Sequence, residues 1–120
     1  MIAVFDTNIV IDSLNGVVEA DAEYARYKRV LISRITWMEV LIGADAEDAN
    51  LRDFLESHFE IISLDLAVAE TAIQLRRAHR IRLPDAIIWA TARIYDAVLV
   101  TRNTKDFNLE WDRIRLPYTI

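Results

Sequence analysis

Short apolar runs alternate with longer mixed stretches along the whole chain, beginning with Ile2, Ala3, Val4 and Phe5. Four runs read as strands, at residues 2–5, 30–33, 60–64 and 97–101. A fifth, 115–120, reads as a short last strand, and Pro117 suggests a sheet edge. Helical stretches lie between them at 7–15, 18–29, 35–44, 48–58, 66–80 and 84–95. Pro84 stands where a first helical residue favours proline. The runs at 30–33 and 97–101 lack strict polar alternation, as strands covered on both faces do. The pattern predicts a central parallel sheet of four to five strands between helical layers, a three-layer α/β/α sandwich.

Such a sheet puts functional residues at the carboxyl ends of its strands. Asp6 follows the first strand directly, and Thr101, Arg102, Asn103 and Asp106 lie at or after the fourth. These two regions are expected at one edge. A carboxylate at the end of a buried strand is costly unless it is hydrogen-bonded, paired or bound to metal. Two more acids interrupt apolar helices: Glu39 in RITWMEVLIGA and Asp85 in RLPDAIIWATA. Each acid has an ordinary reading as well. Asp6 suits a helix N-cap, Asp85 suits the positive end of a helix dipole, Glu39 suits a narrow polar stripe, and Asp106 suits a loop. Four together raise one another's pKa unless a hard cation with oxygen ligands relieves the conflict. Asp12 is a further candidate for supporting such a site. Glu19, Asp21 and Glu23 read as ordinary charges near a helix start, and Asp45, Glu47 and Asp48 as charges around a helix junction.

Composition narrows the chemistry. The 120 residues suit one domain, 1–120, and 53% hydrophobic content supports a single core. No cysteine is present, which excludes disulfides, thiol catalysis and cysteine zinc sites. No stretch approaches the ~20 apolar residues of a membrane span, and Asp6 interrupts any signal-peptide pattern at the start. A cytoplasmic domain is expected. The net charge of −5 is unusual for a nucleic-acid binder, but carboxylates gathered on divalent metal do not repel phosphate. Positive charge is local: Arg76, Arg77, Arg80 and Arg82 crowd RRAHRIR just before Asp85, and Arg102 and Lys105 flank Asn103. These cations suit phosphate contacts, or simply a solvated helix end. Trp37 and Trp89 are expected to pack in the protein. His58 and His79 read as surface or helix-end residues.

Four blocks, VFDTNIVID, SRITWMEVLIGA, LPDAIIWATA and LVTRNTKDF, together resemble the PIN domain across essentially the whole chain. The resemblance is to VapC-type ribonuclease toxins of VapBC toxin–antitoxin pairs, including the FitB-like branch. It implies that Asp6, Glu39, Asp85 and Asp106 form an acidic quartet that binds metal and carries catalysis. Thr7, Thr101 and Asn103 match polar supporting positions, and Asn103 replaces or assists Asp106. The implied reaction is Mg2+-dependent hydrolysis of RNA, tRNA or another structured RNA, with Mn2+ as a substitute, leaving a 5′-phosphate and a 3′-hydroxyl. Arg76, Arg80, Arg82, Arg102 and Lys105 are candidates for RNA contact. A homodimer and a VapB-type antitoxin are the implied partners. The alternatives are a catalytically inactive PIN-like RNA- or protein-binding module and a phosphotransfer or receiver-like domain. The second fits poorly, since DTN lacks a second Asp two residues on and Asp65 reads as a helix cap.

Overall fold

The computed structural model describes residues 1–44 and 48–120; the expectation for Asp45 and Glu47 lies outside the described residues. Five strands, β1 (Ile2–Phe5), β2 (Arg29–Ser33), β3 (Glu60–Ile62), β4 (Val98–Val100) and β5 (Ile114–Arg115), form one sheet in the order β3-β2-β1-β4-β5. Every pairing is parallel. Six helices flank it: α1 (Thr7–Leu14), α2 (Val18–Tyr24), α3 (Arg34–Gly43), α4 (Ala49–His58), α5 (Leu66–His79) and α6 (Leu83–Ile94).

The strand pleat divides the core in two. Val4, Leu31 and Leu99 point to one face and pack with Val68, Leu75, Ile88 and Trp89 of α5 and α6. Ala3, Phe5, Val30, Ile32 and Val100 point to the other and pack with Ile9, Val10, Val40, Leu41 and Leu55. Both faces are therefore dry, which explains the strands' lack of alternation.

Helix starts are written locally. Asp6, Ser33, Asp48 and Asp65 each accept a backbone N–H in the first turn of the helix that follows. Pro84 is the second residue of α6, one position later than expected, and its missing N–H belongs among those a helix start leaves unused. The stretch 18–29 is helical only to Tyr24, because Tyr24 and Tyr27 turn their rings edge-on to Phe5 before the chain enters β2. The last strand is an edge strand, but it is Ile114–Arg115 and stops before Pro117, which has no N–H for a ladder.

One expectation is corrected. Glu23 is not an ordinary surface charge: it is buried, with both oxygens held by Arg115 at 2.8 and 3.1 Å and one by Tyr27 at 2.6 Å. Arg115 lies in β5, so this cluster ties α2 to the last strand. Asp65 caps α5, as its position suggested. No helix among the described residues is long and apolar enough to cross a membrane.

Candidate active site

Because β1 and β4 are neighbours, the residues leaving each strand meet at one sheet edge. The Asp6 N–H donates to the Val100 carbonyl at 2.9 Å, which fixes the chain where it leaves the sheet. Asp6 Oδ1 then accepts the Thr7 N–H at 2.7 Å, and Oδ2 accepts the Thr101 hydroxyl at 2.7 Å and the Asn8 amide at 3.4 Å. Asp6 is only 4% exposed. Burial pushes its pKa up to about 6; the bonds from Thr101 and Thr7 oppose the rise, and the charges of Asp85 and Glu39 add to it. No ion pair reaches Asp6 among the described residues.

Glu39 comes from α3, held by the Thr7 hydroxyl, which donates to Oε1 at 2.7 Å and meets the Thr36 hydroxyl at 3.0 Å. Asp85 stands in the first turn of α6 and is 4% exposed. Burial raises its pKa, Arg82 opposes by charge and hydrogen bond, and Asp106 and Glu39 push it further up. Arg82 Nε lies 3.2 Å from Asp85 and 3.8 Å from Asp106. Asp106 sits after β4, clasped by Asn103, whose amide donates to its Oδ2 at 3.0 Å and whose carbonyl accepts its N–H at 3.2 Å. Asn103 in turn donates its backbone N–H to the Thr101 hydroxyl oxygen at 2.9 Å. Thr101 thus relays between the Asp6 and Asp106 ends. Asp85 and Glu39 act on Asp6, and Asp106 and Glu39 act on Asp85, so the end of β1, α3, α6 and the segment after β4 bring the four acids into one electrostatic group centred on Asp85. Thr7 touches both Asp6 and Glu39, Thr101 touches Asp6, and Asn103 touches Asp106.

The candidate cations separate. Arg76 turns inward to the Ile81 carbonyl at 2.6 Å. Arg102 grips buried Asp12 with both prongs, at 2.6 and 2.9 Å, and Tyr118 donates to the same carboxylate at 2.7 Å. Asp12 is therefore a structural partner of the loop after β4, and Arg102 is not free to meet phosphate without breaking that pair. Arg82 lies among the acids. Arg80 and Lys105 have no partner among the described residues, and both line a groove beside Asp106. Trp89 is core, and Trp111 stacks on it at 4.8 Å with planes 7° apart. Trp37 is half-buried between Arg34 and Arg52, with its indole N–H unpartnered among the described residues. His58 and His79 both end helices, and neither joins the acids.

Two contributors escape a reading of the sequence. Asn8 donates to Asp6 and accepts the Arg102 N–H at 3.3 Å, joining the two strand exits. It belongs to DTN, so its place beside Asp6 was a usable signal. Tyr118 had no such signal, lying 106 positions from Asp12.

Among the described residues no three acidic or histidine side chains are drawn close enough to hold a metal ion. The donor set still suits one. It is all oxygen, Asp6 is a buried carboxylate without a cation, and like charges from Asp85 and Glu39 crowd it. Mg2+ and Mn2+ take such ligands and relieve such crowding.

The sequence matches the PIN domain family over residues 3–109. Among solved structures, a toxin–antitoxin complex from Klebsiella pneumoniae aligns with 42% identity and a TM-score of 0.88, covering 98% of this chain and 99% of that one. VapBC2 from Rickettsia felis, bound to a promoter DNA fragment, aligns with 25% identity and a TM-score of 0.70, covering 89% and 91%. FitAcB from Neisseria gonorrhoeae shares the fold, with 24% identity, a TM-score of 0.76 and both chains covered in full. No curated protein matches.

Proposed function

The chain belongs to the PIN-domain family, and on that premise we propose that it is the toxin of a toxin–antitoxin pair, a metal-dependent endoribonuclease. The observation that carries this reading is the buried Asp6, which is hydrogen-bonded but faces no cation among the described residues. A carboxylate whose pKa is pushed up to about 6 by burial, with two further acids raising it, is an expensive thing to keep. A divalent cation makes sense of that expense.

Asp6, Asp85 and Asp106 are the residues that would hold the ion, with Glu39 completing the set. When bound, Mg2+ or Mn2+ supplies charge stabilisation at the scissile phosphate and makes a water acidic enough to attack near neutral pH. The chain's own groups do the positioning. Thr101 and the Thr7 N–H orient Asp6, and Asn103 orients Asp106. Thr7 holds Glu39 by Oε1, leaving Oε2 to accept a hydrogen bond from the attacking water. Arg82, released from Asp85, faces the phosphate.

A VapB-type antitoxin is the proposed partner, supported by the toxin–antitoxin complexes that align over 98% and 89% of the chain. A homodimer is proposed because α3 exposes Met38 and Ile42, and sedimentation of the purified protein tests it. With RNA as substrate, the site of action is the cytoplasm.

The deciding experiment incubates antitoxin-free protein with total RNA and a tRNA pool, in Mg2+, in Mn2+ and in chelator, beside Asp6→Asn. Discrete products with 5′-phosphates, dependent on metal and absent in the variant, are expected. Products that persist in chelator or in Asp6→Asn would overturn the proposal. Absence of products from folded protein would favour a PIN fold used for binding.

A further inference from the structure

A groove of roughly 630 Å3 runs alongside the acidic site, between the turn joining α5 to α6 and the segment after β4. Arg82 and Asp106 form the wall it shares with the acids, and Arg80, Lys105, His79 and Trp111 line the remainder. The chain as a whole carries −5, so this concentration of cations is local.

Arg80 is the informative residue. It follows α5 as its C-cap and adopts a left-handed conformation, φ 56 and ψ 31. That position favours glycine, because any Cβ is crowded there. Among the described residues two others outside glycine share positive φ, Asp96 and Arg113, and Arg113 donates to Asp96. Arg80 has no such partner among the described residues. The turn is already braced without its side chain, by Arg76 on the Ile81 carbonyl and by the Arg80 N–H on the Arg76 carbonyl at 2.8 Å. A cation suits a helix C-terminus in general, but among the described residues the Arg80 side chain makes no hydrogen bond or ion pair, and the residue lines the groove. A left-handed residue carrying an unpaired cation at the mouth of a groove is a place to look for a ligand.

The far wall is aromatic. Trp111 stacks on buried Trp89, and His79 leans on both rings, at 4.5 Å from Trp111 and 4.8 Å from Trp89. These rings are fixed in advance, so a planar group docking on their edge meets a rigid surface. Cations along a groove with an aromatic wall suit a chain of alternating phosphates and bases.

We infer that this groove takes a single-stranded RNA segment as it leaves the acidic site, with a phosphate on Arg80 and Lys105 and a base against the Trp111 and His79 edge. The inference rests on the ribonuclease reading but is separable from it.

The test measures binding of a fluorescent decamer RNA to the full chain carrying Asp6→Asn, in chelator so that nothing is cleaved, across a salt series. Arg80→Gly is expected to weaken binding about three- to ten-fold and to lower the salt slope by about 0.7, the single-strand value for one phosphate contact. Its melting temperature is expected to stay level or rise. That combination separates a binding role from a structural one, which would lower the melting temperature instead. Lys105→Ala is expected to act in the same direction on binding. Unchanged affinity and slope in both variants would overturn the inference. Equal loss of affinity for polyglutamate would also overturn it, pointing to an acidic peptide as the occupant. If wild-type protein cleaves RNA while both variants bind normally, the groove assignment fails alone. If the variants weaken binding while wild-type protein cleaves nothing, the groove stands and the nuclease reading fails.

Discussion

Arg82 Nε lies 3.2 Å from Asp85 Oδ2 and draws a proposed metal ligand into an ion pair. The guanidinium is 68% exposed, and exposed pairs of this kind contribute only about 0–1 kcal/mol. A divalent ion therefore displaces it cheaply. Arg82→Gln is expected to tighten Mn2+ binding, by no more than about five-fold, since 1 kcal/mol is roughly that factor. Calorimetric titration at pH 8, where the carboxylates are ionised, reads this directly. Weaker binding in the variant would show that Arg82 assists the ion rather than competing with it.

Asp6 ionises in the folded protein at about 6, against 3.8 for an ordinary Asp. Between those values the native state holds more protons than the unfolded chain. This group therefore makes stability fall as pH rises through that window, and the loss is complete above about 6. Asn caps a helix as well as Asp does, so Asp6→Asn removes the penalty and keeps the cap. At pH 7.5 without metal the variant is expected to melt higher, by roughly 3–6 °C if about 1 kcal/mol is regained. The gap should close near pH 4. A variant that melts lower at pH 7.5 would contradict the burial argument.

Thr101 supplies the hydrogen bond that most restrains the pKa of Asp6. Thr101→Val keeps the volume and removes that donor. The Asn103 N–H also loses its acceptor, at a cost of about 1–3 kcal/mol for an unsatisfied buried group. Asp6 should then ionise at still higher pH. The pH at which Mn2+ binding is half-maximal is expected to rise by about 0.5–1 in the variant, in line with one lost bond. An unmoved midpoint would mean that Asp6 does not control binding.

Arg102→Ala leaves Asp12 buried with Tyr118 as its one side-chain partner among the described residues. Removing one member of a buried pair costs about 3–5 kcal/mol, and the partial exposure of Arg102 reduces this to about 2–3 kcal/mol. Urea unfolding should show that loss. The loop carrying Asn103 and Asp106 loses its side-chain tether to α1 and keeps only the backbone bond to Asn8, so RNA cleavage should fall as well. A loss of cleavage with stability intact would instead assign Arg102 to the substrate.

The strands, the helix starts and the shared edge of Asp6 and Asp106 were legible because they depend on near neighbours: an apolar run, a capping side chain, a strand end. Glu39 stood out as an acid in an apolar helix, but nothing local says that Thr7 will hold it. Arg102 and Arg80 look alike in sequence, both basic residues beside loops. Asp12 and Tyr118, far away in the chain, claim the first, and the second is left open to the groove. Glu23 was misread for the same reason, since Arg115 and Tyr27 reach it only after β5 docks. Charge partners are set by tertiary contact, and burial decides whether a charge counts.

The pairing of β1 with β4 has a consequence in time. Thr101 meets Asp6 across 95 positions, and Asp85 and Asp106 also belong to the last third of the chain. During synthesis at about 5–20 residues per second, the first strand leaves the ribosome long before its neighbour exists. Until the fourth strand emerges, Asp6 lacks the Thr101 hydroxyl, and the acids at 85 and 106 that complete its edge come from the same late part of the chain. The acidic edge therefore assembles late, after Asp6 and Glu39 have already left the ribosome and once Asp85, Thr101 and Asp106 have followed them.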